Sequence, residues 1–427
     1  MLGTVDAMLQ KVDAFPRPHL VFMDTDKARA DSMATLTTRM PSAQRNMPVT
    51  EATDDLATAL DGADFVFCVV RVGGVTGMER DERIGASYGY HGHDDFGPSA
   101  VMLTARTVPV MLNIAREMEQ RCPEATLLVF TNPITNMVDA VERYTSIRSI
   151  GLCPGVYNVV WDVDAILDVG MPPPDFHYRG GGLNHVSWIT PETTLQGENL
   201  MERIFREWSE IPHRPNAQRC AWDHIAPLVE IDRVLPMNNG HQVHFFYHDQ
   251  WAQRMADEYA DRDKRDLRSA RQDRHAAEAA DLARQDVIED FWGQEAFAEC
   301  RSELLPDLGV EVMESIAGNL GRELHVNVPN HGHIVDLPDG AVVESAARVW
   351  TDRVEPLGID PIPSHHKGIC RAIAHHQRLL VDASVASDKE LVKQALLAEP
   401  VIRSIDRALP MFEELWAAAT EAGELTG

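Results

Sequence analysis

Short apolar runs alternate with amphipathic stretches along the first 150 or so residues. Runs that suit buried strands occur at 19–23, 63–70, 125–130 and 149–153. Helical stretches are predicted at 5–15, 26–40, 99–119 and 134–143. Continuous apolar strands joined by helical crossovers are typical of a parallel sheet covered on both faces. The pattern therefore predicts an α/β fold with a Rossmann-like, doubly wound parallel sheet.

The pattern changes after Pro172-Pro173-Pro174, where the segments become longer. Few buried-strand runs follow, and the clearest is His325-Val326-Asn327-Val328. We therefore predict two domains, residues 1–171 with the parallel sheet and residues 172–427 with a mixed α+β fold. Residues 252–290 are rich in Asp, Arg, Glu and Ala, which favours exposed helices with ion pairs four residues apart.

Composition and charge exclude several classes of protein. A net charge of −27 repels nucleic acid and anionic lipid, and no local basic patch offsets it. No apolar run approaches the roughly 20 residues that span a bilayer. The six cysteines lack a CxxC pair, which indicates reduced thiols, and the N-terminus does not resemble a secretory signal. We expect a cytoplasmic protein with a small-molecule ligand, no nucleic acid partner and no membrane partner.

Polar residues follow two of the predicted strands. Asp24 lies where a dinucleotide-binding domain bonds the adenosine ribose, although such an Asp can also simply form a turn. Thr131-Asn132-Pro133 lies at the carboxyl edge, where ligands bind in open sheets, although Asn-Pro can also just end a strand. The glycine-rich turn that should precede the first helix is absent, so a first strand is predicted to be missing, through truncation or through loss of cofactor binding.

Ordered motifs run from about residue 20 to residue 410. They include Arg71-Val72-Gly73-Gly74, Thr131-Asn132-Pro133, Gly151-Leu152-Cys153, Gly182-Leu183-Asn184-His185, Val326-Asn327-Val328-Pro329-Asn330 and Leu337-Pro338-Asp339-Gly340. In this order and spacing the chain resembles glycoside hydrolase family 4, the NAD- and Mn-dependent glycosidases. The resemblance implies a fold like that of lactate and malate dehydrogenases, and we expect a homodimer or homotetramer whose second domain carries substrate, metal and oligomer contacts.

The resemblance also implies an unusual route to glycoside hydrolysis. The sugar's C3 hydroxyl is oxidised transiently with NAD, a base removes the C2 proton, the group at C1 leaves, water adds, and hydride returns to C3. A divalent metal, Mn²⁺ or a similar ion, stabilises the negative charge that develops beside C2 and C3. Cys153 and His185 match the family's metal-ligating pair, although a lone Cys is otherwise most often a buried apolar thiol.

Position in these motifs assigns the remaining roles. The residues expected around NAD are Asp24, Arg71, Gly73, Thr131 and Asn132. The residues expected around the sugar are Arg71, Asn132 and Asn184.

Two departures from the family pattern affect the catalytic residues. Pro154 follows the ligand cysteine and cannot donate a proton, so Asp94 and His93 become candidates for the general acid. Phe245 occupies the position of the family's tyrosine base, so His244 or Tyr247 could serve instead.

The sequence leaves more than one possibility for the substrate and for the class of reaction. Met78 stands where phospho-sugar members often have Arg, and the segment around Gly240-His241 is closer to the α-galactosidase and uronidase members. An α-linked or anionic sugar is therefore expected. The alternatives are an NAD-dependent sugar or 2-hydroxy acid dehydrogenase and a catalytically inactive family member.

Overall fold

The computed structural model describes residues 1–217, 222–237, 247, 268–285, 287–297, 305–359 and 362–425. The helices are α1 (Leu2–Gln10), α2 (Lys27–Arg39), α3 (Ala43–Asn46), α4 (Leu56–Leu60), α5 (Gly74–Ser87), α6 (Gly97–Arg121), α7 (Ile134–Tyr144), α8 (Asn158–Leu167), α9 (Leu200–Arg206), α10 (Trp222–Asp232), α11 (Arg268–Leu282), α12 (Leu308–Gly318), α13 (Lys367–Ala386), α14 (Lys389–Ala398) and α15 (Ile405–Glu421). The strands are β1 (His19–Met23), β2 (Val49–Thr53), β3 (Phe65–Cys68), β4 (Thr126–Val129), β5 (Ser149–Gly151), β6 (Phe176–His177), β7 (Gly180–Leu183), β8 (Val186–Ile189), β9 (Thr194–Leu195), β10 (Glu198–Asn199), β11 (Arg322–Pro329), β12 (Val342–Val349) and β13 (Val354–Pro356).

Parallel strands β3, β4 and β5 form one side of an eight-stranded sheet and are joined by the helices α6 and α7. Every residue of β4 is buried, since the strand lies between two neighbours and is covered by helices. Helix α6 follows Phe96, with Pro98 in its first turn, where a missing N–H costs nothing. The Rossmann-like prediction for this part of the chain is confirmed.

Strands β1 and β2 form a separate two-stranded parallel sheet. Strand β2 was not identified from the sequence, because Val49-Thr50-Glu51-Ala52-Thr53 is too polar to read as a buried run. In the six-stranded order 3-2-1-4-5-6 of a doubly wound sheet, β2 and β1 correspond to the third and second strands, and β3 to β5 correspond to the last three. The position between β1 and β3 is the one that the first strand takes in that order.

The other five strands of the large sheet are antiparallel and come from the second part of the sequence. Strand β11 pairs with β5, β12 with β11, and the β7–β8 hairpin with β12. The register sets Asn327 opposite Gly151 on one side and opposite Glu344 on the other. Buried strands β7, β8 and β12 were missed in the sequence, since glycines and an internal Glu interrupt their apolar pattern.

The charged segment predicted at 252–290 contains helix α11, which is mostly exposed, while residues 252–267 and 286 lie outside the described residues. None of the helices in the described ranges combines the length and apolar character needed to cross a bilayer. The domain boundary at 171/172 remains a prediction. Through β11, the large sheet nevertheless draws strands from both sides of that boundary.

Candidate active site

Cys153 and His185 are brought together at the carboxyl edge of the sheet. Cys153 comes two residues after the end of β5, and His185 lies in the two-residue turn between β7 and β8. The Cys153 Sγ atom lies 3.5 Å from His185 Nε2, and both side chains are buried. The two residues predicted as the metal pair are therefore neighbours, although 32 positions separate them in the chain.

Local backbone geometry sets the direction of His185. Its φ of 62° lies in the left-handed region, which suits the second position of a tight turn. Gly182 precedes the turn with φ +147°, and a Cβ there would lie 2.4 Å from the Val186 carbonyl oxygen. A side chain at Gly182 would therefore push the two hairpin strands apart and move the imidazole.

The fully buried carboxylate of Glu344 holds this turn from β12. It accepts a hydrogen bond from Asn184 Nδ2 at 2.9 Å and another from Ser187 Oγ at 2.8 Å. Asn184, expected at the sugar, therefore has its amide turned toward Glu344. Carboxylates behind a metal site orient the ligands in this way in many proteins.

Asp95 supplies a third donor beside the pair. Its Oδ2 atom lies 3.4 Å from His185 Nε2 and accepts a long hydrogen bond of 3.5 Å from Asn132 Nδ2. Its Oδ1 atom is buried and has no hydrogen-bond partner among the described residues. A buried carboxylate oxygen without a partner is costly unless a cation or a ligand meets it.

An ion-pair chain runs from Asp95 to the end of β3. His93 Nδ1 lies 2.6 Å from Asp94 Oδ1 and 3.1 Å from Asp95 Oδ2, and Arg71 donates to Asp94 Oδ2 at 2.7 Å. Burial lowers the pKa of His93, but the two carboxylates outweigh it and raise the value to about 10. Burial favours the neutral form of Asp94, yet His93 and Arg71 hold its pKa well below the usual range.

Burial, together with the charges of Glu344 and Asp95, raises the pKa of the Cys153 thiol well above its ordinary value. A divalent cation beside the sulfur would reverse this balance, since metal ligation requires and favours the thiolate. The thiol, the imidazole and the carboxylate with an unpartnered oxygen form a donor set that suits such an ion.

A fully buried amide lies one strand further along. Asn327 has no hydrogen-bond partner for either side-chain polar atom within the described ranges. Because register partners share a face, its side chain lies on the Glu344 side of the sheet. This face also carries Cys153, two positions along from Gly151.

The residues expected around a dinucleotide lie at the ends of three strands. Thr131 Oγ1 accepts a hydrogen bond of 2.9 Å from the Val70 amide, which ties the end of β4 to that of β3. Gly73 adopts φ +83° just before α5, and a Cβ there would lie 2.7 Å from the Glu424 carboxyl carbon. Asp24 is half-buried at the end of β1, where its Oδ1 accepts from the Asp26 amide.

The predicted bases remain untested. Tyr247 is 42% exposed. His244 lies outside the described residues, as do Phe245 and the histidines at 241 and 248.

Two residues of this site were missed in the sequence. The sequence motifs single out Asp94 rather than its neighbour Asp95, and none of them assigns a role to Glu344. A signal for Glu344 did exist, because an acidic residue inside the apolar run Val342–Val349 is rare unless it is paired.

The fold and the site together define a Rossmann-like protein with a buried thiol, imidazole and carboxylate at the edge of its sheet. The N-terminal model of the "Family 4 glycosyl hydrolase" matches residues 2–169, and the model of the family's C-terminal domain matches residues 181–402. The chain therefore belongs to family 4 of the glycosyl hydrolases. The family identified from the motifs is confirmed, and with it the prediction of a glycoside hydrolase.

Similar proteins differ in their sugars. A probable 6-phospho-β-glucosidase of Bacillus subtilis is 24% identical, over 97% of this chain and 92% of the relative. An α-galactosidase of the same organism is 26% identical, over 86% and 83%. A 6-phospho-α-glucosidase from gut microorganisms, solved in complex with NAD and Mn²⁺, shares the fold with a TM-score of 0.82 and 22% identity, over 99% and 96%.

Proposed function

We propose that this protein hydrolyses the O-glycosidic bond of an α-linked or anionic sugar through transient oxidation at C3, with NAD and a divalent metal such as Mn²⁺. The observation that carries the proposal is the 3.5 Å approach of Cys153 to His185 beside the Asp95 Oδ1 atom, which has no hydrogen-bond partner in the described part of the chain. Two B. subtilis relatives are named as glycosidases, and a similar structure was solved with NAD and Mn²⁺.

Cys153 and His185 would hold the metal, and Asp95 would add an oxygen donor. Two or three protein ligands leave positions open for sugar hydroxyls, as catalytic metal sites require. When bound, NAD and the metal supply a hydride acceptor for C3 and a positive charge beside the C2 and C3 oxygens. Glu344 fixes Asn184 and, through the hairpin, the direction of His185.

His93 is a better candidate than Asp94 for the proton donor to the leaving oxygen. Asp94 has one oxygen against Arg71 and the other against His93, an arrangement that favours the ionised carboxylate. The His93 ring centroid lies 6.1 Å from that of His185, so the imidazole borders the proposed sugar site. His244 and Tyr247 remain the candidates for the base that removes the C2 proton.

The preference for an unphosphorylated sugar rests on Met78. This side chain is buried, and its sulfur lies 3.0 Å from Arg71 Nη1. The guanidinium of Arg71 is already paired with Asp94. Position 78 therefore supplies no positive charge for a 6-phosphate group on the sugar.

The NAD side of the proposal depends on the position between β1 and β3. A parallel strand there, followed by a glycine-rich turn, would bring the pyrophosphate to a helix N-terminus. Asp24, Gly73, Thr131 and Asn132 would then surround the dinucleotide.

The test is hydrolysis of nitrophenyl α-galacturonide, and of nitrophenyl α-galactoside and α-glucoside with and without a 6-phosphate, in D₂O with NAD and Mn²⁺. We expect nitrophenol release from an unphosphorylated α-glycoside or an α-galacturonide, with deuterium at C2 of the product. Hydrolysis without deuterium at C2 would contradict the route.

The same assay separates the alternatives. Net accumulation of NADH would favour a dehydrogenase of a sugar or a 2-hydroxy acid. If the protein binds neither NAD nor Mn²⁺ by calorimetry, the catalytically inactive alternative is supported instead.

A further inference from the structure

A second cluster of metal-ligating side chains joins the end of α10 to the start of α13. Asp232 is the last residue of α10, and His365 and His366 immediately precede α13. His365 Nε2 lies 3.0 Å from Asp232 Oδ1, and His366 Nε2 lies 3.1 Å from Asp232 Oδ2. We call this group the Asp232 cluster.

The spacing of these atoms suits a single ion. Donor atoms at about 2.0–2.2 Å from a zinc ion lie roughly 3 Å or slightly more from one another. One donor atom from each of the three residues lies within 4.8 Å of the other two. Two imidazoles and a carboxylate are ligand types that zinc accepts in proteins.

The surroundings of the cluster hold its ligands in place and leave an entry path. The Asp232 side chain is 1% exposed, whereas His365 is 52% exposed. The His366 ring stacks on Trp188, with centroids 5.6 Å apart and planes at 15°. Buried, oriented ligands next to one exposed ligand are what a metal site needs to form and to fill.

The Asp232 cluster lies apart from the Cys153–His185 pair. Ser187 points from β8 toward Glu344, so Trp188, the next residue, points to the opposite face of the sheet. The chain after Asp232 runs along β8, where the Met237 amide donates to the Ser187 carbonyl and the Ile189 amide donates to the Leu235 carbonyl. An ion at Asp232 would therefore fasten the start of this segment to α13.

We propose that Asp232, His365 and His366 form a structural zinc site, separate from the metal of the glycosidase reaction. The ion neutralises the Asp232 carboxylate and binds both Nε2 atoms, so that it links α10 to α13. A structural zinc site adds its binding free energy to the stability of the fold.

The test uses a protein that lacks the proposed ligands of the catalytic metal, Cys153 and His185. In a Cys153→Ser/His185→Ala background, Zn²⁺ is titrated by calorimetry, and bound zinc is counted by elemental analysis after dialysis. The variant is His365→Ala, whose side chain is exposed, and the matched control is His375→Ala, an exposed histidine on α13. We expect His365→Ala to weaken Zn²⁺ binding by more than about tenfold and to lose about one zinc per chain, with no change in the control.

Two further measurements distinguish loss of the zinc site from misfolding of the variant. Co²⁺ bound to two nitrogens and an oxygen in a four-coordinate site gives visible absorption bands, and these bands should be missing only in His365→Ala. The melting temperature should rise with Zn²⁺ in the background protein and in His375→Ala, but not in His365→Ala. Equal zinc content and equal Co²⁺ spectra in the two histidine variants would overturn the proposal.

Discussion

Two groups of metal-ligating side chains in this protein are built differently. At the Cys153–His185 pair, donors come from a strand end, a hairpin turn and the segment before α6, and acidic groups are in excess. In the Asp232 cluster, one carboxylate serves two adjacent histidines through both of its oxygens.

This difference indicates two uses of a metal ion. A site with few protein ligands and surplus negative charge can exchange water for substrate oxygens and stabilise charge during a reaction. A site whose carboxylate faces two adjacent histidines where two helices meet is suited to holding parts of the fold together when an ion fills it. The predictions below test this contrast, beginning with the largest expected effect.

Cys153→Ser should lower Mn²⁺-dependent glycosidase activity by more than about 100-fold, because loss of a direct ligand costs more than the 10–100-fold typical of outer partners. The measurement is the initial rate across a Mn²⁺ series with saturating NAD. Cys122→Ser is the control, since that cysteine lies at the end of α6. A rate unchanged from the native protein would remove Cys153 from the site.

Asp95→Asn should weaken Mn²⁺ binding by about 10–100-fold, since it removes the negative charge of the carboxylate next to His185. Asp94→Asn is the matched neighbour, and its Mn²⁺ affinity should stay close to that of the native protein, because Asp94 faces Arg71 and His93. Calorimetric Mn²⁺ titration distinguishes the two. Equal losses of Mn²⁺ affinity in both variants would mean that Asp95 contributes no more to metal binding than Asp94.

Glu344→Gln should reduce Mn²⁺ affinity by about tenfold, because a glutamine cannot accept from Asn184 and Ser187 with two equivalent oxygens. The same titration is repeated with Glu355→Gln, which changes an exposed carboxylate on β13. Zinc bound at the Asp232 cluster should be unaffected by either change. A Mn²⁺ affinity at the native level in Glu344→Gln would show that the hairpin does not depend on this carboxylate.

A third histidine–carboxylate contact, between His376 and Glu399, serves as a comparison in which no metal is proposed. His376 Nε2 lies 2.6 Å from Glu399 Oε2, and both side chains are buried. Burial lowers the pKa of His376, but Glu399 outweighs it and raises the value. The stabilisation is therefore present below the unfolded pKa of about 6.5 and is lost as the pH rises through the folded value.

The free energy of unfolding should accordingly fall as the pH rises above 6.5, by about 1.4 kcal/mol for each unit that separates the folded and unfolded pKa values. His376→Gln should flatten this part of the curve, measured by urea unfolding. The neighbouring, exposed His375→Gln should retain the native slope. Identical slopes in the two variants would show that the Glu399 pair contributes nothing to it.

Four of the first five strands were predicted, with ends within two residues of those observed, whereas β2 was missed. The apolar runs at β1, β3, β4 and β5 are continuous, and such runs indicate buried strands from local pattern alone. The second half was predicted poorly, since β7 contains three consecutive glycines and β12 contains Glu344 and Ser345. Pairing across the sheet, rather than local pattern, makes these segments strands.

The sequence by itself determined the family and the two best candidates for metal ligation, because Cys153 and His185 each lie in a motif that can be recognised without a partner. Only the tertiary structure decided that Asp95 and Glu344 surround them and that Asp232 meets His365 and His366. The physical reason is distance along the chain, since Asn184 and Glu344 are 160 positions apart. Periodicity reports which face a residue occupies, whereas only strand pairing and helix packing bring such faces together.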